Sequence, residues 1–111
     1  MALAIPWLEE VVADGATAGF ERGEGTFFLE VHDASDAEEG LHEGDRLAVS
    51  ADTDAEPGDL VVWWTGKART QALARVGDDF ALRAVAGFPG PPEEGGNPLV
   101  RGVVVGRLRR L

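Results

Sequence analysis

Several residue types are absent or nearly absent from this chain of 111 residues. It has no cysteine and no tyrosine, one lysine, Lys67, and two histidines, His32 and His42. The absence of cysteine excludes disulfides and thiolate metal sites and suits a reducing compartment, so we expect a cytoplasmic location. No apolar run approaches the roughly 20 residues that cross a bilayer as a helix. The first residues also lack the basic start and long apolar segment of a signal peptide. We therefore expect neither a membrane-spanning helix nor a signal peptide.

Acidic residues outnumber basic ones and are concentrated in the first half of the chain. The formal net charge is −10. Residues 1–59 hold 16 Asp and Glu against two Arg, whereas residues 60–111 hold four against eight Lys and Arg. An acidic surface repels phosphate backbones, so we expect no direct binding to nucleic acid. The excess is typical of a solvated, solubilising face.

Short apolar runs separated by turn residues predict an all-β fold. Strands are predicted over residues 26–31, 46–50, 60–64, 70–76, 80–85 and 100–108. Six short, mostly antiparallel strands predict one domain over residues 1–111, built as a small, partly open barrel or sandwich. The segment 6–12 fits a helical turn and an extended chain almost equally well, because it is short and its apolar residues suit one helical face.

Alternation within the predicted strands indicates which large side chains are buried. We expect the core to contain Phe27, Leu29, Val31, Leu47, Val49, Leu60, Val62, Phe80, Leu82, Val103 and Val105. Trp63 and Trp64 are adjacent in one strand and therefore face opposite sides. One is expected in the core and the other beneath a loop or a partner, because exposed large aromatics are costly.

The acidic residues and the histidines do not match a known metal motif. A calcium loop needs glycine at its sixth position and glutamate at its twelfth. Counting from Asp33 puts a glutamate sixth, and counting from Ser35 puts Arg46 twelfth. His32 and His42 do not make a zinc site at this spacing without help from carboxylates. We therefore expect no metal site and no cofactor.

Residues 31–49 resemble the nucleophile segment of the LexA repressor and UmuD family of self-cleaving serine peptidases. In that segment a strand ends, presents a serine, and continues to a glycine, a Gly-Asp pair and an apolar strand. Here Ser35, Gly40 and Gly44-Asp45 match that order without a gap. Weaker similarities to later turns and strands of the family follow at residues 57–62, 75–76 and 101–106.

Residues 5–15 are similar to the cleavage segment of the same family. The scissile bond of the family is usually Ala-Gly, and the corresponding pair here is Asp14-Gly15. The resemblance implies the fold of the LexA C-terminal domain, with an N-terminal arm over residues 1–25 and a β core over residues 26–111.

The resemblance also implies a lysine on a paired strand as general base, and the matching positions hold no lysine. Serine is a poor nucleophile unless a neighbouring base takes its proton. A lysine can do so only when burial keeps it neutral. Counting from Gly58 places the lysine position at Ala72, and counting from Arg75 places it at Ala74. Lys67 falls in or beside a predicted hairpin turn and is the fallback base.

Two functions remain open from the sequence, beside the alternative that the chain is an unrelated small β-domain. The first is a non-catalytic LexA/UmuD-like domain that acts in dimerisation or partner binding in an SOS-type or phage-type regulatory setting. Family members pair through this domain, so we expect a homodimer held by apolar strand surface near the C-terminus. No helix-turn-helix precedes the domain, so we do not expect a complete LexA-type repressor. The second is an active self-cleaving peptidase with Ser35 as nucleophile and an unrecognised base.

Overall fold

Seven strands make up the regular structure of the residues that the structure describes. The computed structural model describes residues 6–12, 25–33, 41–65, 70–85, 87–91 and 99–108. The strands are β1 (Trp7–Val11), β2 (Thr26–His32), β3 (Arg46–Ser50), β4 (Leu60–Trp64), β5 (Gln71–Val76), β6 (Leu82–Ala84) and β7 (Leu99–Leu108). They form one antiparallel sheet in the order β1-β2-β3-β7-β4-β5-β6. The all-β prediction is confirmed. Within these ranges no helix is long and apolar enough to cross a membrane.

The sheet curls into a half-barrel, so that strands near its two ends approach each other. β1 forms one edge and contacts β5, which lies next to the opposite edge. β7 is central, and its register shifts twice: the pairing with β3 skips Val105, and the pairing with β4 skips Arg101. Bulges of this kind bend a strand and increase its twist, which favours curling.

The core lies between the curled strands and extends to both faces of β4 and β5. In these two strands consecutive residues are buried, including Val61 and Val62 in β4 and Leu73 and Ala74 in β5. This accounts for the nearly continuous apolar run in β4. Six residues predicted to be core are buried, namely Leu29, Val31, Leu47, Val49, Val62 and Val103. Three more are partly buried against them, namely Phe27, Leu60 and Leu82.

Two residues predicted to be core are exposed, and each prediction is wrong for a local reason. Phe80 is 64% exposed and lies in the turn before β6, where the Gly77 N–H donates to the Ala81 carbonyl. Its φ of 65° confirms that the strand predicted over 80–85 does not begin there. Val105 is 50% exposed because it is the residue skipped by the pairing with β3, so simple alternation fails around it.

The segment that the sequence left between helix and extended chain is strand β1. It pairs with β2 in a register that places Trp7 opposite His32 and Glu9 opposite Glu30. Leu8 is buried, whereas Trp7 and Val12 are exposed, so the helical face does not form. This part of the predicted arm belongs to the sheet.

The adjacent tryptophans differ in burial, as predicted. Trp63 is buried and Trp64 is half-buried. The Arg101 guanidinium lies 5.1 Å from the centre of the Trp64 ring and 3.8 Å from that of Phe27. Trp64 is therefore covered in part by a side chain of β7, where the sequence predicted a loop or a partner.

Candidate functional site

The predicted nucleophile lies between β2 and β3, in a segment of which the structure describes both ends. The Val31 carbonyl accepts the Gly44 N–H and the Val31 N–H donates to the Asp45 carbonyl, each at 2.8 Å. The chain therefore leaves β2 and enters β3 at neighbouring points. Four of the predicted site residues lie outside the described residues, namely Ser35, Lys67, Asp14 and Gly15.

The Gly44-Asp45 pair lies in the turn that leads into β3. Gly44 has a φ of 84°, a left-handed conformation that favours glycine. Asp45 is buried, and its Oδ2 accepts the His42 N–H at 2.9 Å while its own N–H donates to the His42 carbonyl. Both residues therefore stabilise the turn, a structural role that is independent of any catalysis.

Both positions proposed for a lysine base are fully buried alanines in β5. Ala72 lies directly opposite Trp63 of β4, and Ala74 lies between Val61 of β4 and Ala84 of β6. Directly opposed residues have Cβ atoms about 5 Å apart, so the large indole takes the space beside Ala72. Neither position offers a proton acceptor.

A second group of side chains surrounds His32 at the end of β2. Its Nε2 lies 2.7 Å from Glu9 Oε1 and 3.1 Å from Glu30 Oε2, and its Nδ1 lies 3.1 Å from Glu43 Oε2. The Trp7 ring stacks on the imidazole with 4.5 Å between ring centres. Three carboxylates from β1, β2 and the turn before β3 therefore contact one half-buried histidine.

Two hydrogen bonds hold the surroundings of the imidazole in place. The Trp7 indole N–H donates to Asp33 Oδ2 at 2.9 Å, and the Asp33 N–H donates to Glu43 Oε1 at 2.5 Å. Asp33 has a φ of 58°, so the chain turns sharply where β2 ends. Arg46 is the basic residue in this group, and its Nε lies 3.2 Å from Glu30 Oε1.

The carboxylates alter the acidity of His32. Burial of the ring is the largest single effect and lowers the pKa, because it disfavours the charged form. The hydrogen bonds with Glu9 and Glu43, together with the negative charges of Glu30 and Glu43, outweigh burial and raise the pKa of His32 above its ordinary value. The site therefore favours a positive charge at the imidazole.

The sequence predictions did not identify Glu9 and Glu30. A local signal existed for Glu30, because residues two apart in a strand share a face and Glu30 stands two before His32. No local signal existed for Glu9, which reaches His32 only through the pairing of β1 with β2. Of the two carboxylates, Glu9 comes from the neighbouring strand β1 and Glu30 from the same strand as His32.

Comparison of the chain with protein-family models, with curated proteins and with solved structures finds no match.

Proposed function

We propose that this protein is a non-catalytic domain of the LexA/UmuD type that acts through self-association. The observation that carries the proposal is the burial of Ala72 and Ala74 in β5. In either alignment with the family motif, the base that would activate Ser35 is replaced by a methyl group packed in the core. Loss of the base in a serine peptidase costs about 10⁴-fold or more in rate.

The surroundings of Ala72 also argue against a lysine base at this position. A lysine at this position would meet Trp63 across the β4–β5 pair. The Trp63 indole N–H is buried, and it has no hydrogen-bond partner among the described residues. The indole is therefore held by packing, and the strand pair is built as apolar core.

Association of two copies is supported by the exposed apolar residues of β7. Leu99, Val100 and Val105 are 68%, 40% and 50% exposed. Such side chains gain from burial against a second copy, at about 25 cal/mol per Å² of apolar surface removed from water. The acidic first half and the basic second half of the sequence also favour a pairing in which unlike charges meet, which guides association more than it strengthens it.

Two measurements on the full chain test the proposal. Intact mass after prolonged incubation at about pH 9–10, where a lysine base would be largely neutral, should stay unchanged in wild type. Cleavage that Ser35→Ala abolishes would establish the active peptidase instead.

Sedimentation equilibrium tests the association. Wild type should be dimeric at high micromolar concentration, and Val105→Ser should weaken the dimer. Phe80→Ser is the matched control, because Phe80 is also an exposed large apolar residue but lies in the turn before β6. A wild-type monomer, or equal weakening by both variants, contradicts association through β7.

A further inference from the structure

The space between His32 Nε2 and the carboxylates of Glu9 and Glu30 presents an electrostatic conflict. Glu9 and Glu30 are directly opposite each other in the β1–β2 pair, a placement that is destabilising for like charges. His32 points Nε2 toward both, at 2.7 and 3.1 Å. One ring nitrogen and two carboxylate oxygens thus converge on one point.

One tautomer of His32 prepares this point for a cation. When the neutral ring carries its hydrogen on Nδ1, it can donate that hydrogen to Glu43 Oε2, which lies 3.1 Å away. Nε2 then carries a lone pair facing two carboxylate oxygens. A positive species between them relieves the repulsion: a proton on Nε2 when the imidazole is charged, or a bound cation when it is not.

We propose that Glu9, Glu30 and His32 bind a divalent cation of the zinc type. The three ligand atoms already lie within 4.8 Å of one another. Tetrahedral zinc with bonds of 2.0–2.1 Å separates its ligand atoms by about 3.3 Å, so modest side-chain shifts are sufficient. The imidazole nitrogen selects zinc-type ions over Mg²⁺ and Ca²⁺, which prefer oxygen ligands alone.

The surroundings of His32 match those of a metal-binding histidine. Such a histidine usually donates its second ring N–H to a carboxylate, which fixes the ring and makes the ligating nitrogen more basic. Glu43 is placed for that role through Nδ1, and Trp7 packs on the ring. This makes Glu43 a positioning residue, while the remaining ligand position would be left to water. The proposal is independent of the association proposed above.

Charge around the site also favours a cation. Four acidic residues face or adjoin the imidazole, namely Glu9, Glu30, Glu43 and Asp33, and among the described residues the guanidinium of Arg46 is the positive charge beside them. The carboxylates outnumber the positive charge, so a divalent ion is attracted. Protons compete with a metal ion for the ligand atoms, so metal affinity should decrease as the pH is lowered.

The test is calorimetric titration of the EDTA-treated and desalted full chain with ZnCl₂ at about pH 8. We expect one Zn²⁺ per chain, loss of binding in His32→Ala, and at least about tenfold weaker binding in Glu9→Gln and Glu30→Gln. Glu43→Gln should weaken binding by about 10–100-fold without abolishing it. His42→Ala is the matched control, because His42 is the other histidine and is exposed, and it should bind as wild type does.

Three results would overturn the proposal: no saturable binding of Zn²⁺ up to about 1 mM, binding that survives His32→Ala, or loss of binding in His42→Ala alone. Thermal unfolding in EDTA shows whether each variant folds. If His32→Ala does not fold, the double variant Glu9→Gln with Glu30→Gln replaces it, and retained zinc binding in that variant overturns the proposal equally. Mg²⁺ in place of Zn²⁺ should give no heat of binding.

Discussion

Replacing Gly102 by alanine should destabilise the fold at the centre of the sheet. A Cβ at this position would lie 2.7 Å from the Ser50 carbonyl oxygen and 2.8 Å from Val49 Cγ1. To restore an ordinary contact of 3.4 Å, the backbone of β3 must move away by roughly 0.7 Å. β3 is fixed by pairing with β2 and β7, so the strain cannot be relieved by a side-chain rotation.

The expected cost follows from overpacking of a filled site, about 1–3 kcal/mol. For a domain of this size that loss lowers Tm by roughly 4–13 °C. Gly77→Ala is the control, because its Cβ would meet mainly the ends of exposed side chains, at 2.9 Å from Arg83 Nε and 3.0 Å from Asp79 Oδ1, which can rotate away. Urea denaturation and thermal unfolding measure both variants. A Gly102→Ala protein within about 0.5 kcal/mol of wild type, or no more affected than Gly77→Ala, would refute the close approach of β7 to β3.

Three further perturbations test other parts of the structure. Leu29→Ala should lower the free energy of unfolding by about 2–5 kcal/mol, because Leu29 is fully buried. The exposed Phe80 is the control, and Phe80→Ala should change that free energy by less than about 0.5 kcal/mol. Equal losses for the two variants in urea denaturation would contradict the assigned burial. Arg101→Met should lower the free energy of unfolding by about 1.5–3 kcal/mol and speed amide hydrogen exchange in β1. The reason is that the Arg101 guanidinium contacts Glu10 Oε1 at 2.7 Å and a Gln71 oxygen at 2.6 Å. Unchanged exchange in β1 would argue against this link across the half-barrel. The carboxylates raise the pKa of His32 in spite of burial, so the charged imidazole stabilises the folded state. This stabilisation is fully present below about pH 6.5, and it is lost as the pH rises through the raised pKa. In EDTA, the stability difference between wild type and His32→Gln should thus be larger at about pH 6 than at about pH 9, and a difference that grows with pH would contradict the ion pairs.

Much of the strand content follows from local sequence because side chains in a strand alternate between faces. Leu29 and Val31 in β2 and Leu47 and Val49 in β3 are buried as alternation predicts. Turns also follow from neighbouring residues. The sequence predicts a turn at Gly58, which stands beside a proline in an acidic segment, and Gly58 has a φ of 93°. These features depend on a few neighbouring residues, so a single sequence contains them.

The strand predicted over residues 70–76 is β5, and it contains Ala72 and Ala74, the two positions to which the resemblance points for a lysine. Their burial could not be read from the sequence, because it depends on Trp63 across the strand pair and on the covering of both faces of the sheet.

Composition and local pattern indicate an all-β chain with an acidic first half, no cysteine and a single lysine, Lys67. The identity of β1, the bulges of β7 at Val105 and Arg101, and the carboxylates around His32 follow from the tertiary structure. All three depend on the register in which the strands pair. Glu9 and His32 are 23 residues apart and meet only because β1 adds to β2 with Trp7 opposite His32. A shift of one residue would turn Glu9 to the other face of the sheet, and no local pattern in the sequence sets that register.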